Sequence, residues 1–374
     1  MKKLVLSAAV AFLTTASAMA QENVSIVSQT GDKNNSWLSQ GGNKNNSSLT
    51  QKGDENKSTS DQWGAINTSN LIQDGNGNEA TIKQGSDTDD SDGNSSLALQ
   101  DGDGNKLNLS QFNTGGNTST SDQVGDNSSA IISQIGELNT SELLQLGNEN
   151  STSLSQMGDK NTSKIKQDGD LNNIIASQIL GDQNSIDILQ TENSNTVTAA
   201  QSFGNENKID VDQIGDGNRS DITQMSGDKN TSDIDQTGNN NTATVFTAFG
   251  NENTSTVKQT GTNNEGFISQ TFGNKNHAQI TNNNGRDNSS VIFQTGGDSN
   301  HGSVVTFANE NEALLVQVGS RNSGHILQSG TDNTTHTFQI GNSNWLNSSA
   351  WGDLNNSTIT QMGDSNKATV YQRN

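Results

Sequence analysis

Apolar and polar residues alternate along this chain in short blocks that restart at an asparagine. With that asparagine as position 0, the block reads Asn150-Ser-Thr-Ser-Leu154-Ser-Gln156. Position 4 is aliphatic or alanine in 27 of 31 blocks, among them Val27, Leu38, Leu49, Ile132, Ile359 and Val370. Position 2 is small or aliphatic (Ser36, Ala80, Ile186, Val197), whereas positions 1, 3 and 5 are mostly Ser, Thr, Asp, Lys or Asn. A period of two over seven residues predicts a strand with one face turned inward. The inward set is Asn, small, aliphatic, Gln.

Each block is joined to the next by Gln-x-Gly-x-x-Asn, as in Gln145-Leu-Gly147-Asn-Glu-Asn150. So short a link predicts a tight corner, with glycine supplying a backbone angle that other residues resist. The twelve-residue steps add one residue before the glycine, as in Gln201-Ser-Phe-Gly204, and predict a bulged corner. A short fixed period implies stacked repeats. Two strands and two corners, about 22 residues, make one turn. The expected fold is all-β, a parallel β-solenoid of about 15 rungs and roughly 70 Å at ~4.7 Å per rung.

Parallel stacking explains the buried amides. A buried carboxamide without partners costs roughly 1–3 kcal/mol, but one stacked on its own kind donates to one neighbour and accepts from the other. The expected ladder residues are Asn23, Gln29, Asn34, Gln40, Asn45 and Gln51 near the start. Asn150, Gln156, Asn161 and Gln167 follow in the middle, and Asn355, Gln361, Asn366 and Gln372 near the end. Ser128 interrupts the Asn series, and Thr247, Asn282, Thr306 and Ala350 interrupt the Gln series.

Composition narrows the setting. Lys2 and Lys3, the apolar run from Leu4 to Leu13 and Ala18-Met19-Ala20 predict a cleaved export signal at 1–20, followed by a repeat region at 21–374. No apolar run reaches the ~18 residues of a membrane span. The chain has no cysteine and no proline. The first excludes disulfides and a thiol-linked lipid anchor, and the second suits a chain made of paired strands. A net charge of −21 argues against nucleic acid as a partner. Acids such as Asp54, Glu55, Asp159, Asp216 and Asp228 are expected outside, where they repel neighbouring molecules.

Other chemistry is sparse. Asp87, Asp89, Asp90 and Asp92 form an acidic loop (87–94) that offers hard oxygen ligands but lacks EF-hand spacing. His277, His301, His325 and His336 take outward positions, with His277 and His301 one rung apart on the same sheet. Two such ligands do not complete a structural zinc site. Trp37, Trp345, Trp351 and Tyr371 are expected outside or at corners. No catalytic constellation and no cofactor motif emerges.

The unit Asn-x-x-x-x-x-Gln followed by Gly-x-x-Asn resembles the curlin repeat of bacterial curli. It is matched by Asn150 to Gln156 with Gly158 and Asn161, and similarly along nearly all of 23–372. The resemblance implies a non-enzymatic, secreted subunit of extracellular amyloid fibres at the bacterial surface, serving adhesion and biofilm matrix. It implies as partners further copies of the chain, a curli nucleator or major subunit, and an outer-membrane export machinery. The chain has many more repeats than typical members, and its first strand begins at Asn23 without a preceding Gly- and Asn-rich segment. Strands at both ends of the repeat region are expected to act as open templates for strand addition. The alternative is a monomeric solenoid serving as a surface adhesin or binding scaffold.

Overall fold

The computed structural model describes residues 22–85, 93–112 and 115–374. The export signal at 1–20 and most of the acidic loop lie outside them. The described residues form 31 strands, from β1 (Val24–Thr30) and β2 (Asn35–Gln40) to β30 (Asn356–Met362) and β31 (Lys367–Arg373). Odd-numbered strands stack into a 16-stranded sheet and even-numbered strands into a 15-stranded one. Every neighbouring pair is parallel, and the chain alternates sheets at each corner. The fold is a two-sided parallel β-solenoid, as the alternation predicts.

Register is uniform apart from one shift at Gln259/Gly261, where β21 (Thr254–Thr262) meets β23 (His277–Arg286). Between β10 (Ser129–Ile135) and β12 (Ser151–Met157), Ile132 faces Leu154 and Gln134 faces Gln156. The turn is not fixed at 22 residues. Ser129 faces Ser151, Asn173 faces Thr196, Glu265 faces Ser289 and Thr68 faces Ser95, which are offsets of 22, 23, 24 and 27. Corners absorb the added residues, so like residues still face like.

The core is a single file of position-4 side chains between the sheets. Leu49, Ile82, Leu109, Ile132 and Leu154 are each no more than 1% exposed. Position 2 fills the remaining width with Ile174, Ile186 and Val197, or with Ser47 and Ser119. At β1 the same face is open, with Val27 47% exposed. With about one large aliphatic per strand, polar contacts must hold the rest of the interior.

Corners carry the backbone strain. In the corner after Gln145, Gly147 has φ +103° and Glu149 φ +55°. A Cβ on Gly147 would run into the Gly169 carbonyl one turn on, so glycine is needed for space as well as angle. Twelve-residue corners correct the expectation that glycine always supplies the angle. There the inserted residue takes the left-handed conformation (Phe203, φ +56°), whereas Gly204 does not. A Cβ on Gly204 would still strike the Gly227 carbonyl, so close approach alone retains it.

Candidate assembly site: amide columns and corners

Two glutamine columns run along the interior. Gln29 donates through Nε2 to Gln51 Oε1 at 2.6 Å, and Gln51 to Gln73 at 2.8 Å. Gln40 donates to Gln62 at 2.7 Å, Gln156 to Gln178 at 2.9 Å and Gln167 to Gln190 at 3.1 Å. Every bond points from one turn to the next along the chain. The second amide proton crosses the core, as Gln156 Nε2 donates to the Thr140 carbonyl of the opposite sheet at 3.1 Å. Position 6 therefore joins successive rungs and also joins the two sheets. At the far end Gln361 accepts from Gln339 at 2.9 Å and donates to the Trp345 carbonyl. Gln372 donates to the Asn356 carbonyl at 2.8 Å.

Asparagine works differently from the expected amide-on-amide stack. Asn139 Oδ1 accepts the Asn161 backbone N–H at 3.0 Å, and its Nδ2 donates to the Gly158 carbonyl at 2.7 Å. Asn34 donates likewise to the Gly53 carbonyl, Asn45 to Gly64 and Asn150 to Gly169. Asn23 reaches the Gly42 carbonyl at 3.1 Å and accepts the Asn45 N–H. The side chain is one methylene shorter than Gln and sits where the chain leaves the strand, so backbone groups of the next corner are its nearest partners. Direct amide contacts appear beside these bonds in places, as from Asn355 to Asn333 and Asn366 to Asn344, both 2.9 Å. Ser128 replaces Asn in both roles at longer range, accepting from Asn150 N and donating to the Gly147 carbonyl, each at 3.3 Å.

The interruptions in the glutamine columns leave marks. Thr247 is 1% exposed and its hydroxyl has no partner. Gln328 follows Thr306 in register, and because the Thr306 hydroxyl donates to Asn282, Gln328 keeps a buried Oε1 without a partner. Asn282 is better accommodated, its Oδ1 accepting from Ser290 and Thr306 hydroxyls at 2.7 and 2.8 Å.

Sequence reasoning missed a third column. The residue two before each asparagine is usually Asp or Asn, and its Oδ1 accepts a backbone N–H from the preceding turn. Asp159 takes Glu137 N at 2.8 Å, Asp182 takes Asp159 N at 2.8 Å, and Asn205 takes Asp182 N at 2.8 Å. The opposite corner repeats this through Asp54, Asn76 and Asp103. The recurrent Gly-[Asp/Asn]-x-Asn was the available signal. The signal is masked because an acidic side chain shows its charge in sequence more plainly than its role as a hydrogen-bond acceptor.

Outer faces hold the remaining candidates. His277 and His301 pair in register with rings stacked at 5.0 Å. Burial, then the neighbouring His301, pushes both His277 and His325 below the ordinary imidazole range. Among the described residues no three His, Cys, Asp or Glu converge on a metal position. Trp37 and Tyr371 are exposed, and Lys367 lies 4.9 Å over the Trp345 ring. Desolvation raises Asp187, Asp212 and Asp233 above the usual carboxylate range, with neighbouring aspartates adding to it.

The sequence profile described as Curlin associated repeat matches residues 147–179, 181–215, 204–238, 227–261, 250–281 and 308–341. No curated protein matches the chain. The matched segments are successive turns of the solenoid, and their amide and glycine columns continue into the turns on either side. Six curlin repeats between residues 147 and 341 mark the chain as a curlin-repeat protein, of a family of structural proteins, and its fold is a two-sheet parallel β-solenoid.

Proposed function

We propose that this chain builds extracellular curli-like amyloid fibres by templated strand addition, for adhesion and biofilm matrix. The observation that carries the reading is that like residues face like from turn to turn along both sheets. Gln29 binds Gln51 as interior glutamines bind their neighbours, and its own Oε1 faces the place a preceding rung would fill. Among the described residues β1 and β31 each pair on one side only, and Val27, on the inward face of β1, is 47% exposed where its counterparts Leu49 and Leu71 are buried. Another copy offers strands with the same spacing of donors, acceptors and aliphatic side chains.

The ladder from Asn23 and Gln29 to Asn366 and Gln372 is then the assembly site, and self is the first partner. Residues 1–20 serve as the export signal, and an outer-membrane curli exporter and a surface nucleator complete the route. Residues 21–374, freed from denaturant, should form concentration-dependent, thioflavin-positive fibres that seed fresh protein. A soluble monomer that ignores seeds would instead favour a solenoid used as a binding scaffold.

A further inference from the structure

One corner carries an apolar ridge that the fold does not need. The corners after β14 (Asn173–Ile179), β16 (Thr196–Ser202), β18 (Arg219–Met225), β20 (Thr242–Ala248) and β22 (Glu265–Thr271) each hold an inserted residue. These are Leu180, Phe203, Ser226, Phe249 and Phe272, all left-handed with φ of +55° or +56°. Each inserted N–H binds the preceding turn, so they form one straight column, roughly 19 Å long at ~4.8 Å per rung. The four apolar members are 50–63% exposed, and Phe249 stacks on Phe272 at 5.0 Å. Large aromatics held outward at strained positions, where the next turn uses Ser226, call for a partner.

A charged column runs beside the ridge: Glu206, Lys229, Glu252 and Lys275, with 3.8 Å between Glu206 and Lys229 and 3.7 Å between Glu252 and Lys275. We infer that this corner pairs with the same corner of a second copy lying antiparallel. A two-fold axis set across the ridge, between the rungs of Lys229 and Glu252, makes both columns self-complementary. Phe249 of each copy enters the notch at Ser226 of the other, and Phe203 meets Phe272. Lys229 meets Glu252, and Glu206 meets Lys275. Farther out, Leu180 meets Gly296, the small residue that continues the column. The match ends where Lys160 would meet Arg321, which limits its length. A parallel arrangement in register would set like charges together, so antiparallel pairing is the one the pattern selects. One such contact is small. Repeated along two filaments it gains by multivalency and joins them side by side.

Pairing can be read on the full chain freshly freed from denaturant, before any thioflavin signal, so it stands apart from fibre growth. Sedimentation velocity at low salt should show a concentration-dependent dimer. Phe203→Ser with Phe249→Ser should abolish it, and Lys229→Glu should weaken it about tenfold or more, because Glu would then face Glu252. Lys229→Glu with Glu252→Lys should restore it to near the original strength, although that double change worsens the contacts within each chain. A wild-type chain that stays monomeric, or a dimer indifferent to the single reversal, or no recovery in the double variant, overturns the inference.

Discussion

Gln156 donates to Gln178 at 2.9 Å in the next turn while its other amide proton binds the Thr140 carbonyl across the core. Gln134 in turn donates to Gln156 at 2.8 Å. Replacing Gln156 with leucine would therefore leave Gln178 Oε1 without its donor, Gln134 Nε2 with only its Thr118 bond, and the two sheets without the Gln156–Thr140 tie. Each buried group left unmade costs about 1–3 kcal/mol, so a local loss of roughly 3 kcal/mol or more is expected. Ser155→Ala on the outer face should change stability by less than ~0.5 kcal/mol. Because stacked repeats open locally, hydrogen exchange should show faster exchange in β10, β12 and β14, with distant turns little affected.

Repair should work in the other direction. Thr247 sits in register between Gln224 and Gln270, where its buried hydroxyl finds no partner. Thr247→Gln would supply the missing link and continue the column from Gln224 to Gln270. A gain of about 1 kcal/mol per bond formed is expected, measured as slower exchange in β18, β20 and β22. No gain, with unchanged exchange in those strands, would mean that this stretch has adapted to the shorter side chain.

Corner geometry predicts a stabilising glycine. Ile66 holds φ +61° while 56% exposed, a conformation that costs a β-branched residue about 1–2 kcal/mol. Gly77, Gly104 and Gly217 fill the equivalent position in other corners with φ of +67 to +69°. Ile66→Gly should thus raise the unfolding midpoint by an amount near 1 kcal/mol. Gly147→Ala should do the reverse, since its Cβ meets the Gly169 carbonyl. Paired urea titrations of the two variants check both signs.

How much of this was visible beforehand differs from residue to residue. Leu154 and Gln156 could be placed inside because a two-residue period assigns each side chain to a face without tertiary information. The partners of Asn161 could not, because they depend on where the next corner brings its glycine carbonyl. For Asp159 the sequence shows the charge plainly and the bond to Glu137 N only through the Asp/Asn exchange at that position. Phe203 was seen as an insertion, yet its left-handed backbone follows from the need to keep Gly204 against Gly227.

Acid should act in two opposing ways. His277 and His325 have folded pKa values below the ordinary 6.5, so the unfolded chain binds more protons just under that pH. Their contribution is present above 6.5 and is lost as pH falls through the folded values. Asp122, Asp187, Asp212 and Asp233 are raised above 3.8 by desolvation, so the folded chain binds the extra protons. Their contribution is full below 3.8 and is lost as pH rises through the folded values. Stability should therefore dip below pH 6.5 and recover towards pH 4. In His277→Gln with His325→Gln the dip should shrink, and a profile unchanged by that pair of substitutions would refute the assignment.

Asp159 separates charge from hydrogen bonding. Its Oδ1 holds Glu137 N at 2.8 Å, and its own N–H binds Asp182 Oδ1 at 2.8 Å, so it is one link of the exposed corner column. Neighbouring positions in such columns use Asn for the same bond, as Asn205 does for Asp182. Asp159→Asn keeps the acceptor and removes the charge, whereas Asp159→Ala removes both. If the residue only repels other molecules, the two variants should assemble alike and faster than wild type. If it ties the corner, Asn should match wild type in local exchange and Ala should lose about 1 kcal/mol. The geometry predicts the second pattern in hydrogen exchange at Glu137, with any common gain in assembly rate reporting the charge alone.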